Sequence, residues 1–373
     1  MNPIYLDYAA STPVDPRVAE KMMLALTSSC FAANSLSLHD YGVRARELIE
    51  EARARVASVL HALPEEIIWT SGATESNNLA LKGAAKLYQQ KGKHIITMKT
   101  EHKSVLETCQ YLEKSGFSVT YLRPQQDGLL DLRELEATLR PDTMLVSVMH
   151  VNNETGVVQD ISAIGALTSA RGILLHVDAA QSPGKIEIDV NKVPVDLLSL
   201  CAHKCYGPQG VGVLYIRKKP RVRVEPLFHG GGHEQGMRSG TLPVHQIVGM
   251  GEACYLTETE RLSETTRIQK LRDQFWQALQ SIPCCYLNAR FSLPHFLNVR
   301  FEGMLADALL AKLPFIATSS ASACEGKGTE GSYVLRAMGY STEQAKSAIR
   351  FSLGRFTTTE DIINASEQIK AVF

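Results

Sequence analysis

Between about residues 66 and 217, short apolar runs alternate with longer amphipathic runs along the chain. The short runs predict strands, and they read EIIWTSG, HIITMK, SVTYLRP, TMLVSVMH and ILLHVDAA. The amphipathic runs between them predict helices, and they read ESNNLALKGAAKLYQQKG, KSVLETCQYLEKSG, LRELEATLRP and ISAIGALTSARG. This βαβ alternation predicts an α/β fold in which helices cover both faces of a mostly parallel sheet.

The pattern changes after about residue 255. The run TETERLSETTRIQKLRDQFWQALQSI predicts one long amphipathic helix, FLNVRFEG predicts a strand, and further helix ends the chain. We therefore predict a large domain over residues 14–258 and a smaller α+β domain formed by residues 1–13 and 259–373. A length of 373 residues with 45% hydrophobic content is enough for both.

Charge and cysteine usage narrow the possible classes of function. Lys+Arg and Asp+Glu each total 39, so the formal net charge of zero gives no reason to expect nucleic acid or an anionic membrane as partner. The N-terminus MNPIYLDYAASTPVD has no apolar signal region, and no run is long enough to span a bilayer. Eight cysteines without a CxxC pair indicate reduced thiols, and we expect a cytoplasmic protein.

Side chains that can carry chemistry follow the predicted strands, where ligands bind in open α/β sheets. Thr74 stands at a predicted helix start, and backbone N–H groups there can bind phosphate. His102 follows HIITMK, Asp178 ends ILLHVD with Gln181 three residues later, and Lys204 follows the apolar run LLSLCA. Taken singly, Thr74 is an ordinary cap and His102 a structural histidine.

Taken together, these residues predict a pyridoxal-phosphate site. Lysine forms a Schiff base with that cofactor, a carboxylate pairs with the pyridinium nitrogen, and a helix N-terminus holds the phosphate. The competing interpretation of the run CAHKC is a metal site built from Cys201, His203 and Cys205. It would supply only three ligands, and no second cluster completes it, so we predict no metal.

One cysteine has an unusual context. Cys324 lies in ATSSASACEGKGTEGSY, a run of small, polar and glycine residues that is typical of a mobile loop. Most cysteines are inert buried residues, whereas a thiol in such a loop can reach a substrate.

The order of these motifs resembles the cysteine desulfurases, class V, fold-type I pyridoxal-phosphate enzymes that release sulfur from cysteine. The similarity is greatest to the housekeeping type that serves iron–sulfur-cluster assembly, and it extends from YLDYAASTPVDPRV to IRFSLGRFTT. It is carried by TSGATESNN, TEHKSV, MHVNNETG, HVDAAQS, AHKCYGPQG, HGGGHEQGMRSGTLPVHQIVGMGEA and SYVLRAMG. The resemblance implies an aspartate-aminotransferase-like large domain and a small domain that carries the Cys324 loop.

The resemblance also implies a role for each matching residue. Lys204 corresponds to the Schiff-base lysine and proton shuttle, His102 to the histidine stacked on the cofactor ring, and Cys324 to the residue that receives sulfur. Asn153 and Arg350 correspond to the groups that bind the substrate carboxylate. The remaining cofactor-binding positions, with Asn153 and Lys204, are Ala73, Thr74, Asp178, Gln181, Cys201, His203 and, from the partner subunit, Thr241.

The implied reaction converts L-cysteine to L-alanine and leaves a persulfide on Cys324, and His102 is a candidate base for the attacking thiol. The implied partners are a second copy of the chain in a homodimer and a sulfur acceptor such as an iron–sulfur scaffold. The chain ends at Phe373, whereas housekeeping members carry a longer tail that engages the scaffold. The resemblance therefore supports the chemistry more strongly than the acceptor.

Three other stretches depart from the family pattern. Cys201 replaces a serine that binds phosphate, residues 31–39 replace a Gly-Asn-Pro pattern beside the active site, and Ala321, Glu325 and Lys327 alter the Cys324 loop. These departures leave two alternatives open. One is a non-catalytic dimeric scaffold or regulator of the same fold, and the other is a related pyridoxal-phosphate lyase or aminotransferase.

Overall fold

A computed structural model describes residues 3–27, 33–320 and 330–373. Within these ranges the chain forms α-helices, short 3₁₀ turns and strands. The strands are β1 (Ile4–Tyr5), β2 (Ile67–Thr70), β3 (His94–Met98), β4 (Ser118–Leu122), β5 (Thr143–Met149), β6 (Leu174–Asp178), β7 (Leu197–Cys201), β8 (Gly212–Ile216), β9 (Cys285–Leu287), β10 (Phe296–Phe301), β11 (Ile316–Ala317), β12 (Ser319–Ser320) and β13 (Ala348–Ser352).

The described α-helices lie between these strands or after the last of them. In chain order they are α1 (Pro16–Thr27), α2 (Asp40–Val59), α3 (Ala73–Tyr88), α4 (Lys103–Lys114), α5 (Leu132–Thr138), α6 (Ile161–Ser169), α7 (Val244–Leu279), α8 (Ala306–Ala311), α9 (Tyr333–Ala337), α10 (Thr342–Lys346) and α11 (Thr359–Lys370). In the described part of the chain, none of these helices is long and apolar enough to cross a membrane.

The largest sheet has seven strands in the order β2-β8-β7-β6-β5-β3-β4. Only β8 runs antiparallel to its neighbours, and the pairings among β7, β6, β5, β3 and β4 are all parallel. Every residue of β5, β7 and β8 is buried, as expected for strands covered on both faces. The predicted α/β class with a mostly parallel sheet is confirmed.

Helix α7 begins thirteen residues before the predicted amphipathic helix, which starts at Thr257. Its first half packs against α1 and α2, and a Cβ placed on Gly251 would approach the Cα of Ala52 to 2.7 Å. This half of α7 contains Gly249 and Gly251 and is buried on several sides. It therefore lacks the single apolar stripe by which a surface helix is recognised in a sequence. The sequence pattern therefore missed a segment whose stability comes from close packing.

Two apolar cores are arranged along α7. Ile247, Met250 and Cys254 from its first half belong to a core shared with the seven-stranded sheet. Ile268 and Phe275 from its second half belong to a core formed with β10 and β13, to which the N-terminal strand β1 also contributes. The predicted boundary after residue 258 falls inside this continuous helix, and the division into two domains stays a prediction.

A buried histidine joins three neighbouring strands of the large sheet. His176 on β6 is fully buried, and its Nδ1 lies 2.8 Å from the Oγ of Ser147 on β5 while its Nε2 lies 3.1 Å from the Oγ of Ser199 on β7. Burial lowers the pKa of His176 to about 4. The bridge lies two residues before the end of β6, so it holds the register of the strands at the edge where Asp178 emerges.

This histidine predicts a loss of stability in acid. A histidine in the unfolded chain has a pKa of about 6.5, so its contribution is fully present above that pH and declines as the pH falls toward 4, by roughly 3 kcal/mol in total. We expect the thermal midpoint of a His176→Gln variant, followed by circular dichroism from pH 7.5 to 5, to fall less steeply than that of the wild type. The exposed His229→Gln variant is the control, and equal slopes for all three proteins would contradict the prediction.

Candidate active site

A cavity of about 560 Å³ opens at the carboxyl edge of the large sheet. It is lined by residues at or just after the ends of β5, β6 and β7, by His102 before α4, by the start of α3 and by Arg350 of β13. The structure brings together here all but two of the predicted site residues. They are Ala73, Thr74, His102, Asn153, Asp178, Gln181, Cys201, His203, Lys204 and Arg350.

Two predicted residues are not part of this wall. Thr241 is exposed and does not line the cavity of its own chain, and its expected role in a partner's site stays a prediction. Cys324 lies outside the described residues, as do Ala321, Glu325 and Lys327.

In the described part of the 31–39 segment, His39 accepts a hydrogen bond from the Gly42 N–H and so caps α2.

One end of the cavity has the features of a phosphate site. Helix α3 begins at Ala73, and the preceding Gly72 has φ 149°, a conformation that glycine adopts without strain. The first turn of a helix presents backbone N–H groups and the positive end of the helix dipole, which together bind phosphate. Thr74 adds a hydroxyl to this end of the cavity. Burial and, to a smaller extent, the charge of the nearby Lys204 amine lower the pKa of His203 to about 4.

An acidic side chain near this end is neutralised. The Oε2 of Glu75 accepts a hydrogen bond from the Ser71 N–H at 2.7 Å, and its Oε1 pairs with the Nε of Arg238 at 2.9 Å. The ion pair removes a negative charge that would otherwise oppose an anion at the start of α3. Neither residue was predicted, although both lie in the motif runs TSGATESNN and MRSGT.

Asp178 holds a carboxylate in an almost dry position. It is 3% exposed, its Oδ2 accepts from the Nδ2 of Asn77 at 2.8 Å, and its Oδ1 accepts from the Ala180 N–H at 3.0 Å. Both of these hydrogen bonds from the described residues come from neutral donors. A buried anion without a cation is costly, so the site is suited to a ligand that brings a positive charge to Asp178.

A partly buried lysine that the sequence analysis did not identify ties Gln181 to the loop of Lys204. The Nζ of Lys185 donates to the Gln181 Oε1 at 3.3 Å and to the Lys204 carbonyl at 3.3 Å, while the Gln181 Nε2 donates to the Ala9 carbonyl at 2.7 Å. Burial lowers the pKa of the Lys185 amine to about 8. Gln181 is thereby fixed, and one of its two amide hydrogens remains for a ligand.

His102 is the N-cap of α4, and its Nδ1 accepts from the Ser104 N–H at 3.1 Å. Burial lowers the pKa of His102, and the Lys204 amine acts in the same direction. The ring is therefore neutral near pH 7.

Arg350 and Asn153 lie next to each other in the wall of the cavity. The Arg350 Nη1 donates to the Asn153 carbonyl at 2.8 Å, and its Nη2 pairs with the Oδ1 of Asp7 at 2.6 Å. The Nε of Arg350 and the Oδ1 of Asn153 are buried and have no hydrogen-bond partner among the described residues. The Nε–H of Arg350 suits a ligand that carries a carboxylate, whereas the Oδ1 of Asn153 can accept from a donor group of the same ligand.

The competing metal site lacks the geometry it needs. The chain leaves its extended course after Cys201 and forms a 3₁₀ turn over Ala202–Lys204, so Cys201, His203 and Cys205 do not alternate as on a strand. Cys201 and His203 line the cavity, whereas the Cys205 thiol donates to the Ala202 carbonyl at 3.2 Å. Across the described ranges, no group of three His, Cys, Asp or Glu side chains is placed to hold a metal ion.

Comparison with known proteins agrees with this site. Residues 4–364, nearly the whole chain, match the family described as Aminotransferase class-V. The chain belongs to that family. This class-V protein is 58% identical over 370 residues to a protein named Cysteine desulfurase IscS from Proteus mirabilis (strain HI4320), an alignment that covers 98% of the chain and 92% of the relative.

Solved structures extend the likeness from sequence to fold. The class-V protein matches a structure described as a NifS-like protein with a TM-score of 0.93 at 37% identity, covering 99% of both chains. It also matches a structure described as SspA in complex with cysteine, with a TM-score of 0.85 at 38% identity over 95% of this chain and 99% of that one. The resemblance to cysteine desulfurases is thus confirmed.

The family depends on pyridoxal phosphate, and the residues of this class-V protein fit that cofactor. The dry Asp178 carboxylate matches a protonated ring nitrogen, the start of α3 matches the phosphate, and Lys204 lines the same cavity. Gln181 retains an amide hydrogen for the ring hydroxyl, as the resemblance implies.

Cys201 is the predicted cofactor-binding residue that departs from the family pattern, and it lines the cavity. Burial raises the pKa of its thiol to about 12, so it stays protonated, and a thiol is a weaker donor than the serine hydroxyl that the resemblance implies here. We expect Cys201→Ser to lower the Kd for pyridoxal phosphate by roughly three- to tenfold, measured by absorbance titration of the apo-protein. Cys284→Ser, in the second core, is the matched control. Unchanged affinity in Cys201→Ser would contradict the prediction.

Proposed function

We propose that this protein is a cysteine desulfurase that converts L-cysteine to L-alanine and retains the sulfur as a persulfide on Cys324. The observation that carries the proposal is the convergence of Lys204, Asp178 and Arg350 on one cavity. It is supported by relatives named Cysteine desulfurase IscS and by a similar structure that was solved with cysteine.

The residues of the cavity divide the work of binding and proton transfer. Arg350 binds the carboxylate of L-cysteine, because its guanidinium has free donors beside those that Asp7 and Asn153 occupy. Asp178 would keep a proton on the ring nitrogen of bound pyridoxal phosphate, and Ala73, Thr74, Cys201 and His203 would hold its phosphate. Pyridoxal phosphate supplies an electron sink for the Cα of the bound amino acid. The Nζ of Lys204 removes the proton from that Cα and returns it later.

The sulfur step balances without an external oxidant. The Cys324 thiolate attacks the substrate sulfur, a sulfur–sulfur bond forms, and the Cβ–Sγ bond breaks with its electron pair left on the carbon. A proton then completes the methyl group of alanine. The attacking group must be a thiolate, since the thiol is a poor nucleophile.

The wider assignments are part of the same proposal. A homodimer would allow Thr241 of each chain to contact the phosphate of the other, which its exposed position in this chain permits. A protein such as an iron–sulfur scaffold would accept the persulfide sulfur. The large domain over residues 14–258, the small domain over 1–13 and 259–373, and a cytoplasmic location stay predictions from the sequence.

The first test is the product. We expect the purified, cofactor-loaded protein to form alanine from L-cysteine, and the Cys324→Ala variant to lose at least about a thousandfold in rate, because the sulfur has no acceptor. Mass spectrometry of the wild type after a single turnover should show one added sulfur on the Cys324 peptide.

Two other outcomes would contradict this proposal. Alanine or another product formed equally well by Cys324→Ala would indicate a different lyase or an aminotransferase. No product from either protein despite bound cofactor would indicate a non-catalytic scaffold of the same fold.

A second prediction concerns Arg350. Lysine cannot bind a carboxylate through two parallel hydrogen bonds, so we expect Arg350→Lys to raise KM for L-cysteine by about ten- to a hundredfold with a smaller change in kcat. The exposed Arg123→Lys variant is the control. A KM equal to that of the wild type would show that Arg350 does not hold the substrate.

A further inference from the structure

A continuous row of hydrogen bonds connects Asp178 to His102, and both of these residues line the cavity. Asn77 on α3 donates from its Nδ2 to the Asp178 Oδ2 at 2.8 Å and to the Ser104 Oγ at 2.9 Å. The Ser104 Oγ lies 2.8 Å from the His102 Nδ1. Asn77 is 0% exposed and Ser104 is 8% exposed, so the row is shielded from solvent.

The chemistry of the groups fixes the direction of each hydrogen bond. A carboxylate only accepts, so the side of the Asn77 amide that faces Asp178 is its NH₂ group. The second hydrogen of that NH₂ group points to the Ser104 Oγ, which therefore accepts. The hydroxyl of Ser104 then has its own single hydrogen available for the His102 Nδ1.

Two donors meet at one nitrogen of His102. The Ser104 hydroxyl lies 2.8 Å and the Ser104 backbone N–H 3.1 Å from the same Nδ1. A nitrogen that accepts from an N–H carries no proton of its own, so the neutral imidazole holds its proton on Nε2. Protonating Nδ1 would break both contacts and oppose the cap of α4.

We propose that Asn77 and Ser104 are positioning residues that keep the proton of His102 on Nε2, so that His102 acts as a neutral hydrogen-bond donor. In this role it stabilises negative charge that develops in the cavity, such as that of an entering thiolate, and does not collect a proton as a base. The inference rests on the proposed function for its role in turnover. It differs from the base role that the sequence suggested for His102.

The charged groups around His102 are consistent with a neutral ring. Burial and the Lys204 amine lower its pKa, and Lys103 on the same helix acts in that direction. Asp178 and Glu107 act in the opposite direction. The hydroxyl of Ser104 adds a donor to Nδ1, which favours the neutral form further.

The direct test is the tautomer in the cofactor-loaded protein. With ¹⁵N-labelled histidine, and His102→Gln to assign the signal, we expect the neutral ring of the wild type, observed at pH 8, to show an unprotonated Nδ1 and a protonated Nε2. Ser104→Ala removes one donor and keeps the backbone cap, so the His102 pKa should rise by about half a unit to one unit.

In Ser104→Ala, the acid limb of the pH profile for alanine formation should shift to higher pH by the same amount as the His102 pKa. Ser104→Thr keeps the hydroxyl and should retain the wild-type titration, and Ser115→Ala at the other end of α4 is the control for a lost helix hydroxyl. Asn77→Ala frees the Ser104 hydroxyl to turn away, so its His102 pKa should rise in the same direction by less.

A proton on Nδ1 in the wild type, or a His102 titration unchanged in Ser104→Ala, would overturn the proposal. Both readouts are measured without turnover. If no alanine forms from L-cysteine, the proposed function fails, and the tautomer still decides whether Asn77 and Ser104 position His102.

Discussion

The arrangement of this protein depends on one buried charge. Asp178 ends β6 in the middle of the large sheet, at 3% exposure, and its hydrogen bonds come from an amide and a backbone N–H. An anion in such a place has to be matched by a positive ligand. The carboxyl ends of the parallel strands surround that position, so His102, Asn153 and Lys204 converge around it from separate parts of the chain.

Much of the fold and of the site could be predicted because local sequence patterns signal both of them. Apolar runs of strand length alternate with amphipathic ones, and the strands end in side chains that can carry chemistry. The sequence also indicated Lys204 and Asp178 as partners before any family was considered. The contacts that could not be predicted join residues that are far apart in the chain. The contacts of Asn77 with Asp178 and of Arg350 with Asp7 join residues 101 and 343 positions apart.

The first half of α7 illustrates the same limit in the fold. Its residues pack on several sides against α1 and α2, so they show no single apolar face, and the glycines that allow the close approach weaken the helical signal. The second half is amphipathic and was predicted. The first half of α7 is therefore stabilised by close packing against α1 and α2, and not by the helix preference of its own residues.

The ion pair between Asp7 and Arg350 affects more than the capture of substrate. The guanidinium already has a carboxylate 2.6 Å away, so an incoming amino acid adds a second negative charge to a pair that is neutral without it. That repulsion weakens binding of cysteine, and it acts equally on alanine, which carries the same carboxylate. We expect Asp7 to weaken the binding of substrate and product alike, without touching the atoms that react.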